Sequence, residues 1–136
     1  MPHHAACQCG QLSLDIAADD PEIVVVCNCR QCQHRTGSAF TYGVFFRKAD
    51  VTVNGQTKDW TREANEGRML TNHFCPDCGT NLFWSPDLRP DHHGVAAGCL
   101  TTPAPAPGAA IFVSEKQDWV EFPGDWKLFQ RSVAEG

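Results

Sequence analysis

Seven of the eight cysteines fall into three short groups whose spacing suits metal binding. Thiolate sulfur is a preferred ligand of Zn²⁺, and a C-x-x-C turn closes on the ion at Zn–S distances of about 2.3 Å. In the last group, Pro76 and Gly79 favour a tight turn that directs two sulfurs to one point, and the N–H groups of such a turn can bond to the thiolates. We call the groups the N-terminal pair (Cys7 and Cys9), the triplet (Cys27, Cys29 and Cys32) and the knuckle (Cys75 and Cys78).

The number of ligands limits how these groups combine. A structural zinc site closes with four protein ligands, whereas a site with three keeps a position open for substrate. If the N-terminal pair joins the knuckle, a closed four-thiolate site forms and the triplet becomes a separate open site. In the alternative, Cys27 and Cys29 join the knuckle and the other cysteines are left scattered. The spacing leaves both pairings open.

Other cysteine chemistry is also compatible with some of these residues. Cys29 and Cys32 have the spacing of a thioredoxin-like redox pair, but no βαβ pattern surrounds them. An iron–sulfur cluster needs only thiolates, although knuckle-type groups favour zinc. Cys99 has no cysteine neighbour in the sequence and is expected to be a small buried hydrophobic residue. With the N-terminal pair joined to the knuckle, the sequence predicts two metal sites and one core cysteine.

The composition describes a small acidic globular protein. A chain of 136 residues with 42% hydrophobic and 20% charged residues fits a single domain over 1–136 with a substantial core. The net charge of −5 argues against nonspecific binding to nucleic acid or to an anionic membrane. The sequence shows no targeting signal and no apolar run long enough for a membrane helix. We therefore expect a cytoplasmic protein, in which clustered cysteines serve as metal ligands rather than as disulfides.

Periodicity predicts β-structure along almost the whole chain. Residues 12–16 alternate between apolar and polar, the pattern of a half-buried strand. Asn54-Gly55 is a strong turn signal and predicts a hairpin that joins residues 51–53 to 58–61. A helical turn is predicted at 30–35. The remaining predicted strands are 23–26, 40–46, 68–74, 80–84, 94–99, 110–113 and 119–122.

The sequence predicts structural roles for the histidines and tryptophans. His3 and His4 are expected to belong to a frayed terminus. His92 and His93 lie in a segment rich in Pro and Asp and are expected to be solvated, and His73 is expected to be a polar loop residue or a donor to a thiolate. The four tryptophans are expected to cover the core and the sheets, since no basic stripe accompanies them to bind nucleic acid.

Four segments together resemble the family of glutathione-dependent formaldehyde-activating enzymes (GFA), which also includes centromere protein V. They are C-Q-C-G at 7–10, C-N-C-R-Q-C-Q-H-R-T-G-S-A-F at 27–40, F-C-P-D-C-G-T-N-L-F-W at 74–84 and I-F-V-S-E-K-Q-D-W-V-E-F at 111–122. The resemblance implies a β-tent fold of antiparallel sheets pinned by zinc. It also implies a structural zinc held by the N-terminal pair and the knuckle, and a second, more labile zinc held by the triplet near the substrate pocket.

The resemblance extends to the residues that follow the triplet. Thr36, Gly37, Ser38 and Phe40 are predicted to line the pocket on this interpretation. The sequence departs from the family at Ala110, where a histidine is expected before I-F-V. If that histidine shapes the pocket, the substrate of this chain differs from that of its relatives.

The function implied by the resemblance is that of a zinc-dependent carbon–sulfur lyase. Its partners would be a small thiol such as glutathione and an aldehyde, joined as an adduct of the S-hydroxymethylglutathione type, with two Zn²⁺ per chain. The sequence identifies no general base and predicts no oligomeric state. Two alternatives belong to other classes: a thiol- or small-molecule-binding protein without catalysis, and a protein-interaction module on a zinc-stabilised scaffold. The intact triplet favours the first two functions, and the lack of a basic arm argues against a chromosomal role.

Overall fold

The computed structural model describes residues 2–64 and 67–132, and strands dominate this part of the chain. The prediction of a mostly β fold is therefore confirmed. One α-helix, α1 (Arg30–Thr36), and short 3-10 helices at Lys48–Asp50, Ala97–Cys99 and Val113–Glu115 accompany the strands. The strands are β1 (His3–Ala6), β2 (Ser13–Ile16), β3 (Ile23–Cys27), β4 (Thr41–Arg47), β5 (Val51–Asn54), β6 (Lys58–Glu63), β7 (Met69–Phe74), β8 (Asn81–Pro86), β9 (His92–Ala96), β10 (Ala109–Ile111) and β11 (Lys127–Leu128).

The chain divides into two compact units, each assembled from segments that are distant in sequence. The first unit comprises the described residues of Met1–Ile23 and Val44–Ala104. The second comprises those of Val24–Gly43 and Pro105–Gly136. Because compactness alone does not show that a unit folds by itself, the single domain expected over 1–136 remains a prediction.

The first unit contains two antiparallel arrangements of strands. One is a three-stranded sheet in the order β1-β2-β5, and the other runs β9-β8-β7-β6. In β2, Leu14 and Ile16 are buried whereas Asp15 is exposed, as the alternation in the sequence predicts. The core of this unit is apolar, and its most deeply buried side chains are Leu12, Leu14, Ile16, Val44, Phe46, Leu82 and Val95.

The hairpin predicted at Asn54-Gly55 is wrong, although both of its strands exist. β5 pairs with β2, and β6 pairs with β7, so the chain passes from one sheet to the other at this turn. Gly55 has φ of 98°, and a Cβ at this position would lie 2.1 Å from the backbone oxygen of Gln11. Glycine is therefore required both by the left-handed backbone and by the close approach of a neighbouring loop.

Two further expectations about the first unit are wrong. The N-terminus is not frayed, because β1 pairs with β2 and His3 Nδ1 lies 2.6 Å from the Thr102 hydroxyl oxygen. His92 and His93 belong to β9 and are half-buried rather than solvated. His92 Nε2 lies 2.6 Å from a carboxylate oxygen of Glu22. In each case the histidine is held by a residue distant in sequence, which the local sequence could not indicate.

Two of the four tryptophans do not cover the core as expected. Trp84 is buried in β8, but Trp60 is 58% exposed and Trp119 is 74% exposed. Trp60 lies on β6, which is the last strand of its sheet among the described residues. Trp119 occupies a turn that precedes the buried Val120.

The second unit is built on parallel strands in the order β11-β10-β3. The strand predicted at 119–122 is wrong: the N–H of Val120 bonds to the carbonyl of Gln117 in a turn, and β11 pairs with β10 instead. α1 begins after the N-cap Cys29 and ends at Gly37, whose φ of 65° is the left-handed conformation common at helix ends. Among the residues described, no helix is long and apolar enough to cross a membrane.

Candidate metal centres

The first unit brings the N-terminal pair and the knuckle together. Their four sulfurs all lie within 4.8 Å of one another. Cys9 Sγ lies 3.7 Å from Cys7 Sγ and 3.7 Å from Cys75 Sγ. A tetrahedral ion with Zn–S bonds of about 2.3 Å separates its sulfurs by about 3.8 Å, so the spacing of this cluster fits four-coordinate zinc. Of the two pairings that the sequence leaves open, the structure contains this one.

Two similar turns present these four sulfurs. Each begins with a cysteine N–H that bonds to a carbonyl five residues later, at 2.9 Å from Cys7 to Leu12 and 3.0 Å from Cys75 to Thr80. Each also contains a glycine with left-handed backbone, directly after the second cysteine. A Cβ at either glycine would meet nothing within 4 Å, so the backbone conformation, and not the available space, favours glycine there.

Polar groups around the cluster donate hydrogen bonds to its sulfurs. The backbone N–H of Leu12 donates to Cys7 Sγ over 3.3 Å, and the side-chain amide of Gln11 donates to Cys75 Sγ over 3.2 Å. Gln11 is itself held by residue 56, whose N–H donates to its Oε1. Such donors stabilise negative charge on sulfur and orient it toward a cation.

The surroundings of the cluster shift the pKa values of Cys78 and Cys9 in opposite directions. The hydroxyl of Thr80, and then its backbone N–H, lower the pKa of Cys78 to about 5. The backbone N–H of Gln11 favours the thiolate of Cys9, but desolvation and the neighbouring sulfurs outweigh it and raise the pKa to about 12. Without a cation the thiols therefore share protons, and a divalent ion would replace them.

The second unit contains the triplet, whose three sulfurs also lie within 4.8 Å of one another. In the described part of the chain, no fourth His, Cys, Asp or Glu joins this group at that distance. Cys27 ends β3, Cys29 is the N-cap of α1, and Cys32 lies in its first turn. The backbone N–H of Cys32 donates to Cys29 Sγ over 3.4 Å, so the helix start fixes two of the three sulfurs.

Buried amide side chains hold the backbone of the triplet in place. Gln33 Nε2 donates to the carbonyls of Asn28 at 2.8 Å and Glu115 at 2.9 Å, and the side chain of Gln117 donates to Gln33 Oε1 at 2.6 Å. Asn28 is fully buried, and both its backbone N–H and its side-chain amide donate to the carbonyl of Ile111. The triplet loop is thereby fastened to the segment 111–117.

The pKa values of Cys32 and Cys27 in the triplet are shifted in opposite directions. Hydrogen bonds from Cys27 and then Cys29, together with the hydroxyl of Thr41 and the positive charge of Arg35, lower the pKa of Cys32 well below its usual value. The pKa of Cys27 is raised in turn, chiefly by the thiols of Cys29 and Cys32 and by burial. Arg35 Nη2 donates to Thr41 Oγ1 over 2.7 Å, which holds the two groups together.

The residues predicted to line the pocket lie at the end of α1 and just beyond it. The Thr36 hydroxyl donates to the carbonyl of Cys32 over 2.9 Å and accepts from the N–H of Ser38 over 3.1 Å. Gly37 caps the helix, and Phe40 is half-buried. These contacts account for Thr36 and Gly37 as parts of the helix end, and contact with a substrate stays a prediction.

Other residues named in the sequence occupy defined positions. Ala110 is fully buried in β10, where it pairs with Val26 and Leu128. A histidine at this position would need space inside the core. Cys99 lies outside both clusters and is half-buried rather than fully buried as expected.

Sequence reasoning missed the two glutamines that support the clusters. Gln11 and Gln33 occupy unremarkable positions in the sequence, and their partners lie up to 64 and 84 residues away. One signal was available for Gln33, because it follows the last cysteine of the triplet and so lies within the first turns of the predicted helix. No comparable signal marks Gln11.

The fold and these donor sets define a β protein with two cysteine clusters that could hold metal ions. The model of the family described as "Glutathione-dependent formaldehyde-activating enzyme" matches residues 2–115, and the chain belongs to this family. The family resemblance expected from the sequence is thereby confirmed. A comparison with curated protein sequences finds no significant match.

One similar solved structure is the crystal structure of a Rhodobacter sphaeroides protein determined as a structural-genomics target. The match has a TM-score of 0.60 and 19% sequence identity, and it covers 75% of this chain and 91% of that chain. At this identity the likeness shows the fold alone.

Proposed function

We propose that this chain binds two Zn²⁺ ions that have different tasks. The N-terminal pair and the knuckle would hold a structural ion, and the triplet would hold an ion that accepts a small thiol as its fourth ligand. The observation that carries this proposal is the contrast between four clustered sulfurs in one unit and three in the other. Closed sets of four are typical of structural zinc, and sets of three are typical of zinc that binds a substrate.

The reaction proposed for the triplet is the joining or separation of a thiol and an aldehyde, in the class of carbon–sulfur lyases. Family membership supports glutathione as the thiol and formaldehyde as the aldehyde. In the forward direction the thiol loses its proton, its sulfur forms a bond to the carbonyl carbon, and the carbonyl oxygen gains a proton. A Zn²⁺ ion bound to the triplet would supply a Lewis acid that lowers the pKa of the incoming thiol.

The residues of the chain contribute position and charge to this reaction. Gln33 and Asn28 fix the backbone that carries the three sulfurs. Arg35 contributes a positive charge near Cys32, and this charge favours anionic sulfur in the triplet. Thr36, Gly37, Ser38 and Phe40 are proposed to contact the substrate from the end of α1.

The division of labour between the two sites is tested by matched cysteine substitutions. Cys78→Ser should abolish folding, because structural zinc contributes about 10–16 kcal/mol in small zinc domains and a typical fold is stabilised by only about 5–15 kcal/mol. Cys29→Ser should leave a folded protein that contains one zinc instead of two. Zinc content and circular dichroism, measured on the same preparations, show whether each variant has lost one zinc ion or its fold. Equal unfolding by both substitutions would contradict the division.

The reaction itself is tested by NMR of glutathione mixed with formaldehyde. The zinc-loaded protein should accelerate exchange between free glutathione and the S-hydroxymethyl adduct, and Cys29→Ser should not. Binding of glutathione without any acceleration would replace the lyase with the alternative of a thiol-binding protein. If neither binding nor acceleration occurs while two zinc ions are present, the proposed substrate is wrong.

A further inference from the structure

Four polar side chains form a row across neighbouring strands of the first unit. They are Asp59 in β6, His73 in β7, Ser85 in β8 and His93 in β9. Asp59 Oδ1 lies 2.7 Å from His73 Nδ1, and His73 Nε2 lies 2.7 Å from Ser85 Oγ. Ser85 Oγ in turn lies 3.0 Å from His93 Nδ1. None of the four belongs to the cysteine clusters.

The direction of every hydrogen bond in this row follows from the carboxylate at its end. An ionised Asp59 only accepts, so Nδ1 of His73 carries the proton and donates to it. The other nitrogen of a neutral His73 then accepts, and its donor is the hydroxyl of Ser85. Because that hydroxyl proton is committed to His73, Nδ1 of His93 must donate to Ser85 Oγ. Burial, followed by the charges of Lys48 and His73, lowers the pKa of His93 to about 4, so this imidazole is neutral near pH 7.

Aromatic packing fixes the two imidazoles of the row. The ring of His73 stacks on Phe83 with centroids 4.5 Å apart and an interplanar angle of 27°. His93 meets the same phenyl ring edge-on at 5.1 Å. The side chain of His73 is 15% exposed and that of Asp59 is 52% exposed. Ring contacts therefore position both imidazoles from within the sheet, and the row reaches solvent at its carboxylate end.

We propose that Ser85 is an activated nucleophile that accepts the acyl group of small activated esters. A nucleophile within hydrogen-bond reach of a base, with the base oriented by a third group, is the arrangement that defines such sites on unrelated folds. In this row the order is carboxylate, imidazole and hydroxyl, and the second imidazole nitrogen lies 2.7 Å from the hydroxyl oxygen. The N–H of His93, which points at the same oxygen, orients its lone pairs.

The acylation step balances within this row and the ester. The Ser85 oxygen forms a bond to the acyl carbon as its proton passes to His73 Nε2. The bond from the acyl carbon to the leaving oxygen then breaks, and that oxygen takes the proton from His73 or leaves as an anion. Water reverses the sequence and releases a carboxylic acid. Asp59 stabilises the positive charge that His73 carries in between.

The first test uses diisopropyl fluorophosphate and the zinc-loaded protein. A phosphorus–oxygen bond to Ser85 should form as fluoride leaves, and peptide mass spectrometry should locate the added diisopropylphosphoryl group on this residue. Ser85→Ala should remove the label. His73→Gln should slow labelling about 100-fold or more, since general-base assistance contributes about 10²–10⁴. Asp59→Asn, at an exposed position, should slow it to a smaller extent.

The matched control is Thr71→Val. This residue also lies on β7 and its hydroxyl bonds to Thr61 across to β6 at 2.9 Å, but it takes no part in the row. The Thr71→Val variant should react with diisopropyl fluorophosphate at the same rate as the unchanged protein. The proposal would be overturned by a label on another residue instead of Ser85, or by the absence of any label. It would also be overturned if the unchanged protein and His73→Gln were labelled at equal rates. Zinc content and circular dichroism are measured for every variant, so that a loss of label caused by unfolding is recognised. If His73→Gln unfolds, the labelling rate of Asp59→Asn decides the outcome.

The second test is turnover of p-nitrophenyl acetate. A burst of p-nitrophenolate equal to the concentration of protein, absent in Ser85→Ala, is expected if an acyl-enzyme accumulates. Hydrolysis that is identical in the unchanged protein and in Ser85→Ala would contradict the proposal. Because Cys29→Ser should leave this burst intact, its outcome is separate from that of the proposed lyase.

Discussion

The side-chain amide of Gln11 donates to the sulfur of Cys75 with 3.2 Å between Nε2 and Sγ, across 64 positions of sequence. The same amide also donates to the carbonyl of residue 56 over 3.0 Å, and its oxygen accepts from the N–H of that residue. One side chain therefore ties a cluster sulfur to the turn at Gly55 that carries the chain from one sheet to the other. Gln11 therefore supports the arrangement of the four-sulfur cluster, although it is not one of the candidate metal ligands.

Gln11→Met should weaken metal binding at the four-sulfur cluster while keeping the volume of the side chain. The lost donor to Cys75 should lower zinc affinity about 10- to 100-fold, the range typical of groups that support metal ligands. Competition with a chromogenic chelator measures it. Gln8→Met is the control, since Gln8 lies in the same loop and contributes its backbone N–H, not its side chain, to the bond with Thr80. Equal affinities for the two variants would rule out this role.

Gln33→Met should destabilise the second unit and loosen the triplet. The substitution leaves the carbonyls of Asn28 and Glu115 without this donor, and each buried polar group that loses its partner costs about 1–3 kcal/mol. Urea unfolding of the zinc-loaded protein measures the change. Gln31→Met, at an exposed position on the same helix, should change the free energy of unfolding by less than about 0.5 kcal/mol. A similar small effect at Gln33 would show that the buried amide contributes little.

Gly94→Ala should be far more damaging than Gly98→Ala. A Cβ at Gly94 would lie 2.2 Å from the indole nitrogen of Trp84, whereas at Gly98 it would meet nothing within 4 Å. Displacing the indole, which meets Phe45 edge-on at 6.1 Å, should cost about 1–3 kcal/mol or more. Thermal unfolding measures the loss, and tryptophan fluorescence should shift in the first variant alone. Matching unfolding temperatures would refute this account of β9 packing against Trp84.

His93 should make the fold less stable as the pH falls below neutrality. Its pKa is about 4 in the folded protein, against the ordinary 6.5 of an unfolded chain. Above pH 6.5 His93 is neutral in both the folded and the unfolded state, so its protonation takes no stability from the folded protein. Between pH 6.5 and about 4 the unfolded chain binds a proton that the folded protein does not, so the free energy of unfolding decreases.

Replacing His93 with glutamine isolates this contribution. Because His93 belongs to neither cysteine cluster, any effect of acid on metal binding should be common to both proteins. The difference between their free energies of unfolding, followed by urea titration from pH 7.5 to 4.5, therefore reports on His93. The unchanged protein should lose stability relative to His93→Gln as the pH falls. A difference that is independent of pH would mean that His93 is as easily protonated in the fold as in the unfolded chain.

The strands could be predicted where alternation or a β-branched run is local, as at 12–16 and 23–26. What the sequence could not specify is which strands meet. Asn54-Gly55 has the composition of a hairpin turn, yet β5 finds its partner in β2, because register is decided by the burial of a whole face. β1 escaped prediction for the related reason that its four residues gain their order from β2 and from Thr101 and Thr102.

The cysteines of both clusters could be predicted from spacing, since short loops constrain where neighbouring sulfurs point. The residues around them could not, because Gln11 and Gln33 reach partners that only the folded chain brings near. The row from Asp59 to His93 was hidden for another reason. Its four members come from four strands, and each of them is an ordinary polar residue in its own segment.

The two clusters differ in how much of the chain must be in place before a metal ion can be captured. Cys9 and Cys75 meet across 66 positions, whereas the triplet spans residues 27–32 alone. Closing the longer loop carries a larger entropic cost, and it needs the chain to have been synthesised beyond the knuckle. A growing chain can therefore offer three sulfurs to a metal ion long before it can offer four. The sulfurs of the triplet are synthesised before those of the knuckle, although the segment 111–117 that fastens their loop follows the knuckle in the chain. The four-sulfur cluster closes only when distant parts of the first unit have come together.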